Sequence, residues 1–267
     1  MSKTKITKEE LKGPDSFVMF SDRVIKMIED HRKLVMIVLV AAFVLGASYV
    51  GYEQFEKHQE VVAKEALFKV ENELAKKQES LAEKKDIAES KDSNGATKAE
   101  VVTEADSFAA EVEPLLQKFR QVIVDYKGTQ SAVSAAFIAA EAYAENKNPK
   151  EAVESLKLVV NEVKPGHLTY GILQSKLATL SMDLGNYEHA IEHLDNVINK
   201  SQQKYLFADA LLKKGICLEK LNKNSEALGV YSQVDEDYSE TSAARTARTF
   251  RRLLLLRQNN NSSGGES

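Results

Sequence analysis

The sequence predicts an all-α protein: a single N-terminal transmembrane helix followed by an α-solenoid of repeated helix pairs. Three observations carry this. One uncharged apolar stretch lies near the N-terminus. Beyond it, three segments repeat at near-constant spacing. The composition suits helix throughout, with no tryptophan, 12 glycines and 4 prolines in 267 residues.

The apolar stretch runs from Leu34 to Tyr52 and reads LVMIVLVAAFVLGASYVGY, without a charge. As a helix it extends about 28 Å, close to the thickness of a bilayer's hydrocarbon. A cleaved signal peptide would have a shorter apolar core and a shorter leader. Arg23, Lys26, Arg32 and Lys33 precede the stretch. After it, Lys57 and Lys64 are diluted among Glu53, Glu56, Glu60 and Glu65. Counting Lys and Arg alone puts the N-terminus in the cytoplasm and the rest, in a bacterium, in the periplasm. Tyr49 and Tyr52 stand where interfacial aromatics gather.

Before the stretch, residues 1–15 are polar and carry Gly13-Pro14, a pattern expected of disorder. In residues 17–31, Phe17, Phe20, Val24, Met27 and Ile28 recur at helical spacing. That fits either a helix lying on the membrane surface or an extension of the spanning helix.

From Glu53 to about Ala88, Ala63, Leu67, Val70, Leu74 and Leu81 form one apolar stripe. Asn94-Gly95 is a turn signal. A second helical pattern runs from about Ala99 to Tyr126. Residues 76–104 are rich in Lys, Glu and Ser, which suggests a flexible insertion between helices.

The repeats begin at Ala135, Leu173 and Leu211. Ala152, Ala190 and Ala227 are equivalent, thirty-eight and then thirty-seven residues apart. Each unit reads as helix, polar turn, helix, with turns at Asn146–Pro149, Gly185–Tyr187 and Asn222–Ser225. Where paired helices cross closely, large side chains would hold them apart. Ala140, Ala178 and Gly215 fill that position on the first helices, and Ala152, Ala190 and Ala227 on the second. Leu156, Leu194 and Tyr231, then Val159, Val197 and Val234, fill the layer beyond. A half-repeat precedes the array, since FRQVIVDYKGTQSA from Phe119 matches YSQVDEDYSETSAA from Tyr231. Its first helix would be the one that follows the apolar stretch. Ser242 to Arg257 reads as a lone capping helix.

This pattern resembles the tetratricopeptide repeat, so the fold expected is a tetratricopeptide-like α-solenoid. The boundaries expected are a cytoplasmic segment at 1–33, a transmembrane helix at 34–52, and a charged helical segment with a flexible insertion at 53–104. A repeat domain at 105–257 and a disordered tail at 258–267 follow. In tetratricopeptide stacks the first helices line a concave groove. Transferring that register gives Ser134, Phe137, Glu141, Ile172, Ser175, Thr179, Asp209, Leu212, Ile216 and Glu219, a mixed apolar and acidic face. It lacks the Lys/Asn/Arg set with which some members clamp a terminal carboxylate. An amphipathic helix or extended apolar peptide suits it better. Phe137, Ile172 and Leu212 could instead pack against neighbouring units.

Chemistry is sparse. His189 and His193, four residues apart, lack the further ligands zinc requires and read as outer-face residues. Cys217 is the one cysteine, set in an apolar helix, and reads as a buried thiol. There is no phosphate loop, nucleophile elbow or carboxylate pair. No enzyme, catalytic residue, cofactor, metal or small-molecule substrate is expected. The net charge of −4 argues against nucleic acid. Arg245, Arg248, Arg251, Arg252 and Arg257 make the last helix basic, as a solvated cap or a face for an acidic partner or lipid.

The SYVGYEQFEKHQ exit from the apolar stretch and the three aligned repeats together resemble the ancillary subunit of the SecYEG translocon (the YfgM-like family), over about residues 30–257. That resemblance implies a scaffold in the bacterial inner membrane. It would contact the Sec translocon, periplasmic chaperones or exported clients. A structural scaffold for envelope assembly, in division, secretion or outer-membrane machinery, is the other expectation.

Overall fold

The computed structural model describes residues 16–92 and 111–263. Every described element is helical. Two compact units are present, Met1–His58 and Gln59–Ser267. The Asn94-Gly95 turn and residues 99–110 of the second helical pattern lie outside the described residues, as do residues 1–15.

In the first unit, α1 (Ser16–Asp30) and the start of α2 (Arg32–Asp92) are separated only at His31. His31 N donates to Met27 O at 3.1 Å and Val35 N to His31 O at 3.0 Å. Helical hydrogen bonding therefore passes through the interruption. Leu34, Ile37, Phe43, Leu45 and Tyr52 are all exposed. By length and composition, α2 is the one helix among the described residues that could cross a membrane.

The second unit is a stack of helix pairs. Residues of α2 from Gln59 onward pair with α3 (Glu113–Asp125), whose Pro114 occupies a first-turn position where no N–H is needed. Leu67, Val70 and Leu74 of α2 are buried in one cluster with Leu116, Phe119 and Ile123 of α3. The stack thus includes residues expected in the 53–104 segment. Then follow α4 (Gln130–Glu145) with α5 (Pro149–Lys157), α6 (Leu168–Asp183) with α7 (Tyr187–Lys200), and α8 (Phe207–Lys220) with α9 (Asn224–Asp237). The last helix, α10 (Ser242–Ser263), packs on α8 and α9. It runs past the expected end at Arg257, because the next helix breakers in the sequence are Gly264 and Gly265. Conversely α5 stops at Lys157, and turns carry Val159 to full burial. The neighbouring Val159 and Val160 are poor helix formers.

All three turns inside the pairs end the first helix alike. Lys147, Gly185 and Asn222 have φ of 59°, 73° and 60°. The next amide reaches back to the first helix: Asn148 N to Tyr143 O (2.9 Å), Asn186 N to Ser181 O (2.8 Å) and Lys223 N to Leu218 O (2.9 Å). This is the Schellman arrangement, which satisfies carbonyls the helix leaves open. The half-repeat match is equally concrete. Thr129 Oγ1 accepts from Ala132 N at 3.1 Å and donates to Tyr126 O at 2.7 Å. Thr241 Oγ1 does the same with Ala244 N at 3.2 Å and Tyr238 O at 2.7 Å.

The small residues sit at the helix crossings. Ala140, Ala152, Ala178, Ala190 and Ala227 are all fully buried. So are Leu156, Leu194 and Tyr231 of the next layer. Gly215 is glycine rather than alanine because its unit carries tyrosine where the others carry leucine. A Cβ on Gly215 would lie 2.4 Å from Tyr231 Cε1. The ring is held in place by a hydrogen bond from Tyr231 Oη to Glu219 Oε2 (3.2 Å) and an edge contact with Phe250.

Gly215→Ala is therefore expected to lower stability by about 1–3 kcal/mol, despite alanine's better helix propensity. In a Tyr231→Leu background the same change should cost far less, giving a large coupling in a urea-denaturation double-mutant cycle. Equal effects in both backgrounds would refute the steric account. At the turns, Lys147→Gly should add about 1 kcal/mol, because only glycine adopts that φ without penalty. A thermal midpoint unchanged or lowered would show that Lys147 is not strained.

Candidate partner-binding groove

The first helices α4, α6 and α8 each present a short row of side chains to the same side. Residues at equivalent register form three ladders: Ser134, Ile172 and Asp209; Phe137, Ser175 and Leu212; Glu141, Thr179 and Ile216. Phe137, Glu141, Ile172, Ser175 and Thr179 surround one open concavity of about 510 Å³, together with Ile138, Lys176 and Lys213. Ile172 is 45 % exposed, and Phe137 is half-buried. An apolar floor is thus open to solvent along α4 and α6.

The remaining ladder members behave differently. Leu212 is buried in the cluster that also holds Ala243, Ala244, Ala247 and Leu254 of α10. Ile216 packs against the same cluster. Glu219 is committed to Tyr231 and to Arg257 Nη1, which donates to its Oε1 at 2.6 Å. The capping helix therefore occupies the end of the face that the sequence assigns to a partner. Ser134 is half-buried, and Asp209 is exposed.

Lys176 and Lys213 were not in the sequence-derived set. They form a fourth ladder with Ile138, at the same thirty-eight and thirty-seven residue spacing, and that spacing would have found them. Lys176 pairs with Glu141 of the preceding unit. Lys213 pairs with Asp209 at 2.9 Å and donates to Thr179 Oγ1 at 3.3 Å. The face is hence nearly balanced in charge, with Glu141 and Asp209 answered by lysines and Glu219 by Arg257. Partly exposed pairs of this kind add little stability, about 0–1 kcal/mol each. They do fix where charge stands around the apolar floor.

A second feature without local sequence signal is Glu60. Its carboxylate accepts from Gln130 N (2.7 Å), Ser131 N (3.0 Å) and Ser131 Oγ (2.6 Å). It thus places a negative charge on the N-terminus of α4, where open amides and the helix dipole favour one. The linker between α7 and α8 is fastened too: buried Gln203 accepts from Gly171 N at 3.3 Å. A Cβ on Gly171 would lie 2.7 Å from Gln203 Oε1.

His189 is exposed beside Glu192 Oε2 at 3.4 Å. His193 is not an outer-face residue. Its Nδ1 lies 2.7 Å from Oε1 of buried Gln174 on α6, which also accepts from Asn196 at 3.3 Å. His189 lies on the outer face as the sequence suggests, whereas His193 is drawn to α6 by Gln174. Cys217 is fully buried, and burial pushes its thiol up to about 11. Among the described residues no cluster of His, Cys, Asp and Glu could hold a metal ion.

Burial holds the His193 pKa below its ordinary value, with Glu192 opposing and His189 and Lys157 reinforcing the shift. The unfolded chain then takes up the proton first. Stability is full above the ordinary imidazole range and is lost as pH falls through it. Between about pH 7 and pH 5.5 the thermal midpoint should drop, and the drop should be smaller in His193→Gln. The same pH response in both proteins would rule His193 out as its source.

A model of the tetratricopeptide repeat-like domain family matches residues 27–260. Among solved structures, the kinesin-light-chain-like repeats of Podosopora anserina are similar at 19 % identity, covering 61 % of this chain and 86 % of that one, with a TM-score of 0.47. A structure of MamA is similar at 15 % identity over 60 % of this chain and 98 % of that one, with a TM-score of 0.39. None of the curated proteins matches the chain.

Proposed function

Because the chain belongs to the tetratricopeptide repeat-like domain family, we propose that it is a membrane-anchored scaffold that docks protein partners in the groove of α4 and α6. Repeat domains of this kind are protein-interaction scaffolds. The observation that carries the reading is the solvent-open apolar floor formed by Phe137, Ile138 and Ile172, ringed by Lys176–Glu141 and Lys213–Asp209 pairs. That combination suits an amphipathic helix or an extended apolar peptide. Apolar anchors seat on the floor, and flanking charges select register.

The exposed, uncharged Leu34–Tyr52 stretch supports the anchor, and the excess of Lys and Arg before it supports a cytoplasmic N-terminus. On this reading the anchor lies in the bacterial inner membrane and the repeat domain in the periplasm. The resemblance of the membrane exit and repeats to the ancillary translocon subunit favours the Sec translocon, a periplasmic chaperone or an emerging client as the partner.

A photo-crosslinking residue at Ile172, in intact cells, tests this. Adducts with a translocon component, a periplasmic chaperone or exported proteins are expected, and Phe137→Glu should abolish them. Adducts confined to division or outer-membrane machinery would replace the translocon reading. An absence of adducts at Ile172 and Phe137 alike would remove the groove as the docking site.

A further inference from the structure

The tight position of the first helices recurs as Ala140, Ala178 and Gly215, and one more step of thirty-seven residues lands on Arg252 of α10. In each internal unit that position is buried and its helix is packed by a second helix, which carries Ala152, Ala190 or Ala227. No second helix follows α10 among the described residues. The slot is left as a concavity of about 370 Å³ lined by Arg248, Thr249, Arg251, Arg252 and Leu255. Leu255 and Leu256 are 44 % and 53 % exposed.

The charge of this slot is specific. Five of the chain's eight arginines fall between Arg245 and Arg257, and α10 contains no acidic residue. Arg248 and Arg251 reach Asp235 of α9 at 3.3 and 3.8 Å. Arg245 and Arg252 meet no carboxylate among the described residues. A guanidinium stands here where the other first helices carry alanine or glycine. It offers a planar fork to a carboxylate.

We infer that this slot on α10, separate from the groove of α4 and α6, docks an acidic amphipathic helix of a partner protein. In every preceding unit the same register position lies on a first helix that a second helix packs against. The α9 carboxylate already seated on Arg248 and Arg251 shows the pairing in miniature. Leu255 in the slot, with exposed Leu256 beside it in sequence, supplies the apolar contact, Arg252 the unanswered charge, and Arg245, seven residues earlier on α10, a second one.

The test uses the full chain in phosphatidylcholine nanodiscs and a fluorescein-labelled amphipathic helix of alanine, leucine and glutamate. Anisotropy should show binding that weakens with salt. Binding should fall about tenfold or more in Arg252→Ala, and be lost in the Arg245→Glu, Arg252→Glu double variant. Both changes are at exposed positions, and unchanged thermal melts would exclude misfolding. A peptide with glutamine for glutamate should not bind. Equal binding of that peptide, or binding insensitive to Arg252, overturns the inference. So does capture of phosphatidylglycerol vesicles without the peptide, or concentration-dependent self-association abolished by the same variants. The former would assign the slot to lipid and the latter to a second copy. Neither outcome bears on crosslinking from Ile172.

Discussion

The stack depends on one contact repeated in each pair: two helices crossing so closely that neither can carry more than a methyl group there. Ala140, Ala178 and Gly215 on the first helices and Ala152, Ala190 and Ala227 on the second meet this demand, and the five alanines are fully buried. The close crossing brings Leu156, Leu194 and Tyr231 into the same layer. Where the layer residue grows from leucine to tyrosine, the crossing residue shrinks to glycine, because the core is packed to a fixed volume. The same register places Arg252 of α10 where the internal first helices carry alanine or glycine.

Polar contacts then define how pairs enter and leave one another. Each first helix ends in the same left-handed turn at Lys147, Gly185 and Asn222. Thr129 and Thr241 start α4 and α10 with the same two hydrogen bonds. Glu60 adds a charged cap to α4 from a position seventy residues earlier. Lys176 ties α6 to Glu141 on α4. The groove is the by-product of these constraints: first helices aligned on one side, with no helix among the described residues covering Ile172 and Phe137.

Much of this was legible in the sequence. The spacing of Ala152, Ala190 and Ala227 revealed the units, and the match between Phe119–Ala132 and Tyr231–Ala244 revealed the half-repeat. Both rest on local sterics and capping, which leave residue-type signatures at fixed offsets. What stayed hidden depends on contacts between units. Leu212 reads as a groove residue until α10 is seen to cover it. Lys176 and Lys213 read as ordinary surface lysines until their acids are placed. Glu60 looks like one more charge after the apolar stretch. His193 has the sequence surroundings of a solvent-facing residue, yet faces Gln174.

The close crossing is tested most directly in the middle of the array, with Ala178→Leu and hydrogen exchange read along the full chain. If the crossing couples the units, the added bulk should cost about 1–3 kcal/mol. Amide protection should fall in α6 and α7 and also in the adjoining α5 and α8, as nearest-neighbour stacking requires. Protection left intact, or a loss confined to the turn around residue 178, would contradict it.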